Sequence, residues 1–444
     1  MSDNLYLVAG LGKTGLSIAR YLSRRNKSFV LFDTRNESPS ISEFRREFPD
    51  VALYTQELPL EIMHRISEVI ASPGLSWDTP LIQNFLQRKI PLYGDIECLA
   101  REIQAPVIAI TGTNGKSTVT TLVGEMAQAA GFKVAVAGNI GNPVLDLLDD
   151  GHQYDLWVLE LSSFQLDLTH SLKPRAATIL NISPDHLDRH HNMQAYIAAK
   201  QRIYRNTELV LYNRDDPATF PEQKDQVMIS FGQAEPPAVT WGIRTNQDKI
   251  SLVKGDTEIL LVEEMLIQGI HNWLNALAAG ALAESAGISF DHIRQVLRAY
   301  PGLPHRCQWV RTLDNVNWIN DSKGTNIGAT ISAINGIGGA MQGRIVLIAG
   351  GQGKGADFSE MAKPVADFVR SMVLIGEDAE KIAAALNNVV PIQRASSLED
   401  AVLMARKQAQ PGDVVLLSPA CASQDMFKDF NHRGDVFTSI VNGL

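Results

Sequence analysis

Short uninterrupted apolar runs alternate along the chain with stretches in which apolar residues recur at helical spacing. Leu5–Ala9, Phe29–Phe32 and Val69–Ala71 are such runs, with a helical pattern near Leu16–Arg24 between the first two. The alternation resumes at Val107–Ile110 and continues through Val134–Ala137, Leu156–Leu159 and Ala177–Leu180. A third block holds Trp318–Asn320, Ile345–Ala349, Met372–Ile375 and Val414–Leu417, each followed by a helical pattern. Strands without a polar face, set between helices, predict an α/β protein with mainly parallel sheets. Positions from about 238 to 270 depart from this, with short alternating strands that predict a small antiparallel appendage before a helix over Asn272–Ala286.

Two breaks divide the pattern. Tyr93-Gly-Asp95 reads as a linker, and Pro301-Gly-Leu-Pro304 stops any helix. Three parts are therefore expected: a Rossmann-like domain over 1–94, a central P-loop domain over 95–303, and a Rossmann-like domain over 304–444. The 444 residues suit that number.

Composition narrows the class. With 45% apolar and 20% charged residues, large cores are expected and disorder is not. A net charge of -9 disfavours a nucleic-acid partner, whose phosphates would be repelled. No apolar run reaches a membrane span, and the N-terminus lacks a secretory pattern. Cys98, Cys307 and Cys421 fit neither a disulfide framework nor a metal site. A reduced, cytoplasmic monomer acting on small molecules is the expectation.

The most chemical segment is Thr111-Gly-Thr-Asn-Gly-Lys-Ser-Thr118, between an apolar run and a helical pattern. A glycine-rich turn there aims backbone N–H groups and a helix N-terminus at one anion. Lys116 can reach the outer phosphates of ATP, and Ser117 or Thr118 can ligate Mg²⁺. The usual P-loop has its first glycine at position 110, where Ile110 stands; here the glycine is Gly112. A second glycine loop, Gly10-Leu-Gly12-Lys-Thr-Gly15, precedes Asp33 on the next run. It fits a dinucleotide fingerprint, a structural turn, or a loop for the diphosphate of a nucleotide-sugar. Beside a separate ATP site the last reading is preferred. Glu160 ends a strand, where it is either a cap or a Mg²⁺ ligand. His186, in Ser183-Pro-Asp-His-Leu-Asp188, falls on the same sheet edge and is either structural or a ligand. Lys200, on the helical pattern Gln194–Tyr204, reads as a solvated helix lysine.

Taken together, these segments resemble the Mur ligase family, ATP-dependent amide-forming enzymes that add amino acids to the peptidoglycan precursor. The resemblance runs through Thr111–Thr118, Glu160-Leu-Ser-Ser-Phe-Gln165, Asn181–Asp188, Gly269-Ile-His-Asn272 with Asn275, and Leu303-Pro-His-Arg306. It ends with Asn320-Asp-Ser-Lys323, Thr325-Asn326 and Gly350-Gly-Gln-Gly-Lys354. Gly10–Gly15, Asp33-Thr-Arg35, Ala71-Ser-Pro-Gly74, Gly94-Asp-Ile-Glu97 and Ser418–Ser423, with Phe427–Phe430 and Arg433-Gly434, resemble the members that add D-glutamate to UDP-N-acetylmuramoyl-L-alanine. No Asp-Asn-Pro-Arg tetrapeptide, the mark of the diaminopimelate-adding members, is present.

The resemblance implies roles. Lys13, Thr14, Thr34, Arg35 and Ser72 would hold the uridine diphosphate, and Asn139, Ser162, Gln165 and His186 the sugar-alanine end. Gly112, Thr113, Asn114, Gly115, Lys116, Ser117 and Thr118 would cradle ATP, met by Asn272, Asn275, Arg306, Asp321 and Lys323. Ser117 and Glu160 would hold one Mg²⁺, and His186 the second with Lys200 as a carbamate, since an ammonium would repel the ion. Thr325, Lys354, Ser423 and Phe430 would bind D-glutamate. Lys116, Glu160, His186, Lys200 and Lys323 form the implied catalytic set. Gly324 and Gln352 stand where the family pattern has Ala and Asp. The competing readings are a folylpolyglutamate-synthetase-like ligase, which the Gly10–Gly15 loop disfavours, a P-loop small-molecule kinase, and a non-catalytic nucleotide-binding module.

Overall fold

The computed structural model describes residues 4–36, 39–222, 225–237, 239–247, 249–267, 269–339, 341–353 and 355–444. Three sheets carry the fold. The first is parallel, with strands β1 (Leu5–Ala9), β2 (Phe29–Asp33), β3 (Leu53–Thr55), β4 (Ile66–Ala71) and β5 (Leu92–Tyr93) in the order β3-β2-β1-β4-β5. The chain leaves β1 to one side and later returns to its other side. The β1 loop therefore opens at the switch point, where such sheets form a ligand crevice.

The second sheet has nine strands in the order β14-β13-β12-β11-β10-β9-β6-β8-β7. They are β6 (Val107–Thr111), β7 (Val134–Gly138), β8 (Leu156–Glu160), β9 (Ala176–Ile179), β10 (Leu209–Asn213), β11 (Val227–Phe231), β12 (Trp241–Asn246), β13 (Lys249–Lys254) and β14 (Thr257–Leu261). Every residue of β6 and β8 is buried, as strands covered by helices on both faces must be. The expected antiparallel strands are present, with β12 and β13 antiparallel, but they continue the main sheet through Phe231 opposite Trp241.

The third sheet holds β15 (Gln308–Leu313), β16 (Val316–Asn320), β17 (Ile345–Gly350), β18 (Val369–Ile375), β19 (Ile392–Arg394) and β20 (Val414–Leu417), ordered β15-β16-β20-β17-β18-β19. Only its edge strand β15 is antiparallel to its neighbour.

The chain groups into two compact units, Met1–Leu260 with Leu274–Val296, and Leu261–Trp273 with Leu297–Leu444. One apolar core runs through both sheets of the first unit, from Val8 and Leu31 to Ala109 and Trp157. Salt links add to it at the surface: Arg25 reaches Asp149 at 2.9 Å and pairs with Glu102, and Arg24 reaches Asp149 at 3.0 Å. Such exposed pairs contribute about 0–1 kcal/mol each, so the shared core is the stronger bond. Tyr93-Gly-Asp95 is accordingly no free linker. Asp95 is buried and starts the helix Asp95–Glu102, and the Gly94 N–H donates to Leu168 O at 3.1 Å. No helix among the described residues is long and apolar enough to cross a membrane.

Candidate active site

At the carboxyl edge of the second sheet, the chain leaves β6 through Gly112 and enters the helix Lys116–Ala129 from Gly115. Both glycines take positive φ, 151° and 82°. A Cβ on Gly115 would also come within 2.4 Å of Asn275 Oδ1, so the loop and Asn275 are in close contact. The loop between is held by the segment after β9. Thr113 N–H donates to Asn181 O at 2.9 Å, Asn114 N–H to Asn181 Oδ1 at 2.8 Å, and Asn181 Nδ2 back to Asn114 O at 3.1 Å. Thr113 Oγ1 accepts from Ser183 N–H at 3.0 Å and lies 3.1 Å from the Tyr196 hydroxyl. Ser117 and Thr118 fall in the first turn of the helix, whose N-terminus faces any anion in the loop.

Two lysines converge on this loop. Lys116 Nζ donates to Gly112 O at 2.8 Å and Thr113 O at 2.7 Å, and Lys200 Nζ donates to the same Gly112 O at 2.9 Å. Lys200 also reaches Thr111 Oγ1 at 3.3 Å and lies 4.7 Å over the Tyr196 ring. It is 2% exposed, which overturns its reading as a solvated helix lysine. The reason is register: Tyr196, Ala199 and Lys200 form the buried face of the helix Met193–Gln201. Burial first, and the charge of Lys116 second, hold the Lys200 amine well below the ordinary lysine range, against the opposing pull of Asp185 and Glu160.

Glu160, 1% exposed at the end of β8, accepts from Asn139 Nδ2 at 2.8 Å through Oε1, while its buried Oε2 has no hydrogen-bond partner. It is not a helix cap. That task falls to Ser162 and Gln165, which form a reciprocal capping box on the helix Ser163–Asp167. His186 sits on the rim at φ 52°, edge-on to Phe164 at 5.1 Å and 3.6 Å from Asp185. Among the described residues no three His, Cys, Asp or Glu side chains cluster as a metal set. A hard cation would therefore take its oxygens from the orphaned Glu160 Oε2, a hydroxyl, phosphates and water, a donor set that suits Mg²⁺.

The first sheet gathers Lys13 and Thr14 after β1, Thr34 and Arg35 after β2, and Ser72 after β4 on one edge. Asp33 accepts Leu11 N–H at 2.6 Å and two guanidinium bonds from Arg35 at 2.9 Å each. Burial works to raise its pKa, but the Arg35 and Leu11 bonds outweigh that and hold the carboxylate below its usual range. Both oxygens are engaged, so Asp33 is not presented to a ribose as a dinucleotide site requires. Gly15 presses on the loop so closely that a Cβ would lie 2.0 Å from Gly10 O. Gly15→Ala is expected to lower the unfolding free energy by about 1–3 kcal/mol, read from the urea midpoint at unchanged slope.

The second unit holds Asn272, Arg306, Asp321, Lys323, Thr325, Ser423 and Phe430. Asp321 accepts Ser418 Oγ at 2.7 Å and Cys307 N–H at 3.1 Å, and burial pushes its carboxyl up to about 6. A Cβ at Gly324 would meet Asp321 Oδ2 at 2.6 Å and Ser418 Oγ at 2.8 Å, so the glycine accompanies this tight pairing. Lys323 Nζ lies 3.9 Å over the Phe430 ring, and Thr325 N–H donates to Lys323 O at 2.8 Å. Gln352 and Ala422 exchange backbone bonds at 3.0 and 2.9 Å, which sets the Gly350–Gly353 loop beside Ser423. Lys354 lies outside the described residues.

One contributor, Tyr196, escaped the sequence reading, and two others, Asn181 and Arg433, appeared there only within motifs and without a role. Tyr196 lies under Lys200 and touches Thr113, and its place one turn before Lys200 was the available signal. Asn181 mirrors the P-loop backbone. Arg433, 1% exposed, donates to Ser322 Oγ at 3.0 Å, Ser322 O at 2.9 Å and Cys421 O at 3.2 Å, joining the Lys323 and Ser423 loops. Burial lowers its pKa to about 10.

Comparison with known proteins matches residues 4–94 to the MurD-like N-terminal domain of Mur ligases, 110–283 to the Mur ligase middle domain, and 305–421 to the Mur ligase glutamate ligase domain. A UDP-N-acetylmuramoylalanine--D-glutamate ligase of Legionella pneumophila is 69% identical over 447 residues, covering 100% of both chains. The enzyme of that name from Pseudomonas aeruginosa is 47% identical, covering 100% of this chain and 99% of its own. Among solved structures, a pseudomurein peptide ligase type C from Methanothermus fervidus shares the fold at a TM-score of 0.64 and 19% identity, covering 99% of this chain and 100% of its own. A UDP-N-acetylmuramate-alanine ligase from Thermotoga maritima does so at 0.60 and 18%, covering 99% of each chain. With full-length relatives at this identity and three domain matches in order, the chain belongs to the Mur ligase family.

Proposed function

We propose that this protein joins D-glutamate to UDP-N-acetylmuramoyl-L-alanine at the expense of ATP, giving the amide, ADP and phosphate in peptidoglycan precursor synthesis. The observation that carries the reading is the presence of two phosphate-type glycine loops, Gly10–Gly15 and Gly112–Thr118, in one compact unit. The relatives' shared name supplies the substrates. Segments 1–94, 95–303 and 304–444 would serve the UDP-substrate, ATP and the amino acid, in a cytoplasmic monomer.

A carboxylate is a poor acyl donor because its leaving group would be oxide. Transfer of the γ-phosphoryl from ATP to the L-alanine carboxylate gives an acyl phosphate. The neutral amine of D-glutamate attacks its carbonyl, and the tetrahedral adduct expels phosphate. Lys116 and the N–H groups of Gly112–Thr118 take up the charge that develops on the phosphoryl oxygens. Lys13, Thr14, Thr34, Arg35 and Ser72 hold the diphosphate end; Asn139, Ser162 and Gln165 orient the sugar-alanine end. Asn272, Asn275, Arg306, Asp321 and Lys323 meet the nucleotide. Thr325, Lys354, Ser423 and Phe430 take D-glutamate. Ser117 and Glu160 would hold one Mg²⁺, and His186 with a carbamylated Lys200 a second. When bound, the ions neutralise phosphate charge and polarise the transferring group. Two features support the carbamate: Lys200 is buried, and two ammonium groups on the single carbonyl of Gly112 would repel each other.

The test is phosphate release from ATP, Mg²⁺ and UDP-N-acetylmuramoyl-L-alanine across D- and L-amino acids, with products weighed by mass spectrometry. Release that depends on D-glutamate, with the matching amide, is expected. A phosphorylated product or no release would overturn the reading, and release with another amino acid would move the specificity.

A further inference from the structure

Gly94-Asp-Ile-Glu97 has no part in the chemistry above, yet Glu97 is among the most heavily bonded carboxylates of the chain. Its side chain is 3% exposed. One oxygen accepts the backbone N–H groups of His170 at 2.7 Å and Ser171 at 2.9 Å; the other accepts Ser171 Oγ at 2.8 Å and Arg101 Nε at 3.1 Å. Three residues earlier the Gly94 N–H donates to Leu168 O at 3.1 Å. A Cβ there would stand 3.1 Å from Leu168 Cβ, so the Leu168 side chain packs directly on the Gly94 backbone. Residues 94–97 follow directly from β5 of the first sheet. Residues 168–171 end the helix Ser163–Asp167, with Thr169 Oγ1 donating to Gln165 O at 2.7 Å. The opposite end of that helix carries the Ser162–Gln165 pair, just past Glu160.

We propose that Glu97 is a positioning residue that fixes the spacing between two half-sites for one ligand, the diphosphate end on the first sheet and the acyl end at Ser162 and Gln165. The proposal rests on the functional reading above, in which the substrate spans both sheets. A ligand that spans two half-sites gains affinity only if their separation matches its length, and loses that gain when the separation drifts. Neither half-site alone is sensitive to the spacing. Glu97 touches no reacting group and acts through the helix it holds.

Glu97→Gln is the informative change. All four partners of Glu97 are donors, so an amide of the same shape sets an NH₂ against at least one of them in either orientation. For Glu97→Gln, kcat/KM with UDP-N-acetylmuramoyl-L-alanine is expected to fall on the order of 10–100-fold, carried by KM. Inhibition by UDP alone, and turnover of the nucleotide-free N-acetylmuramoyl-L-alanine at high concentration, should stay within about twofold of the parent chain; the cost arises only when both half-sites are engaged together. Ser171→Ala, which deletes one of the four bonds, should show the same split more weakly and keeps the question open to measurement if Glu97→Gln does not fold. Equal losses for the half-ligands and the whole substrate would mean that Glu97 merely supports folding and would overturn the proposal, as would unchanged kinetics throughout. Failure of the parent chain to use the spanning substrate at all would remove the functional reading itself, and the spacing role with it.

Discussion

Lys116→Ala is expected to cut phosphate release at least about 10²–10³-fold, the usual cost of deleting one preorganised donor from a developing anion. KM for the UDP-sugar should stay close to that of the parent chain. In the structure, Lys116 is the first residue of its helix, and its amine rests on Gly112 O and Thr113 O, two carbonyls of the loop it closes. A γ-phosphate entering the loop offers the amine a charged acceptor in place of two neutral ones, so the bond strengthens as charge builds on the phosphoryl oxygens. The loss should therefore fall on kcat more than on substrate binding. Alanine is the best helix former, and the loop keeps its ties to Asn181, so the fold should persist. Single-turnover phosphate release with circular dichroism on the same sample would check this. A loss below about tenfold would mean that the amine only braces the loop and that the N–H groups carry the anion alone.

The strands and the P-loop were legible in the sequence because each is local. An apolar run on both faces has one stable home, between two layers of helix. A Gly-x-x-Gly-Lys-Ser turn between a strand and a helix has one use that needs all its parts. What could not be read depends on partners far along the chain. Lys200 bonds Gly112 O across 88 positions, so its spacing reads as a surface lysine and only the family resemblance singled it out in the sequence. Glu97 bonds residues 73 and 74 positions away, so Tyr93-Gly-Asp95 looked like a linker when Gly94 and the residues after it are tied to the segment 168–171. The strands near position 240 are legible from their alternation as an antiparallel appendage; their junction with β11 rests on the Phe231–Trp241 pair, which no local pattern reveals. In the second unit, Arg433 enters the sequence reading only as part of the Arg433-Gly434 motif, and its burial against Ser322 and Cys421 comes from two distant loops closing over it.

Removing dissolved CO₂ is expected to inactivate the parent chain, and adding bicarbonate to restore it, if Lys200 works as the proposed carbamate. The chemistry is balanced: a neutral amine attacks CO₂, one proton leaves, and the nitrogen carries a carboxylate. The site favours the reactant, because burial and Lys116 hold the amine below the ordinary lysine range and so shift it toward its neutral form. The site also favours the product. Beside Lys116 an ammonium is a like charge, whereas a carbamate is an opposite one and supplies the oxygen that a hard cation requires. Lys200→Met preserves length and apolar bulk over the Tyr196 ring, so the helix Met193–Gln201 should stay packed. Its activity should fall by at least about 10–100-fold, since even partners beyond the ligand shell cost that much, and bicarbonate should not raise it. Carbon-13 bicarbonate should give a carbamate resonance in the parent chain that Lys200→Met lacks. Activity indifferent to CO₂, with no such resonance, would leave Lys200 an unmodified amine bracing Gly112 and would return the second metal position to His186 and water alone.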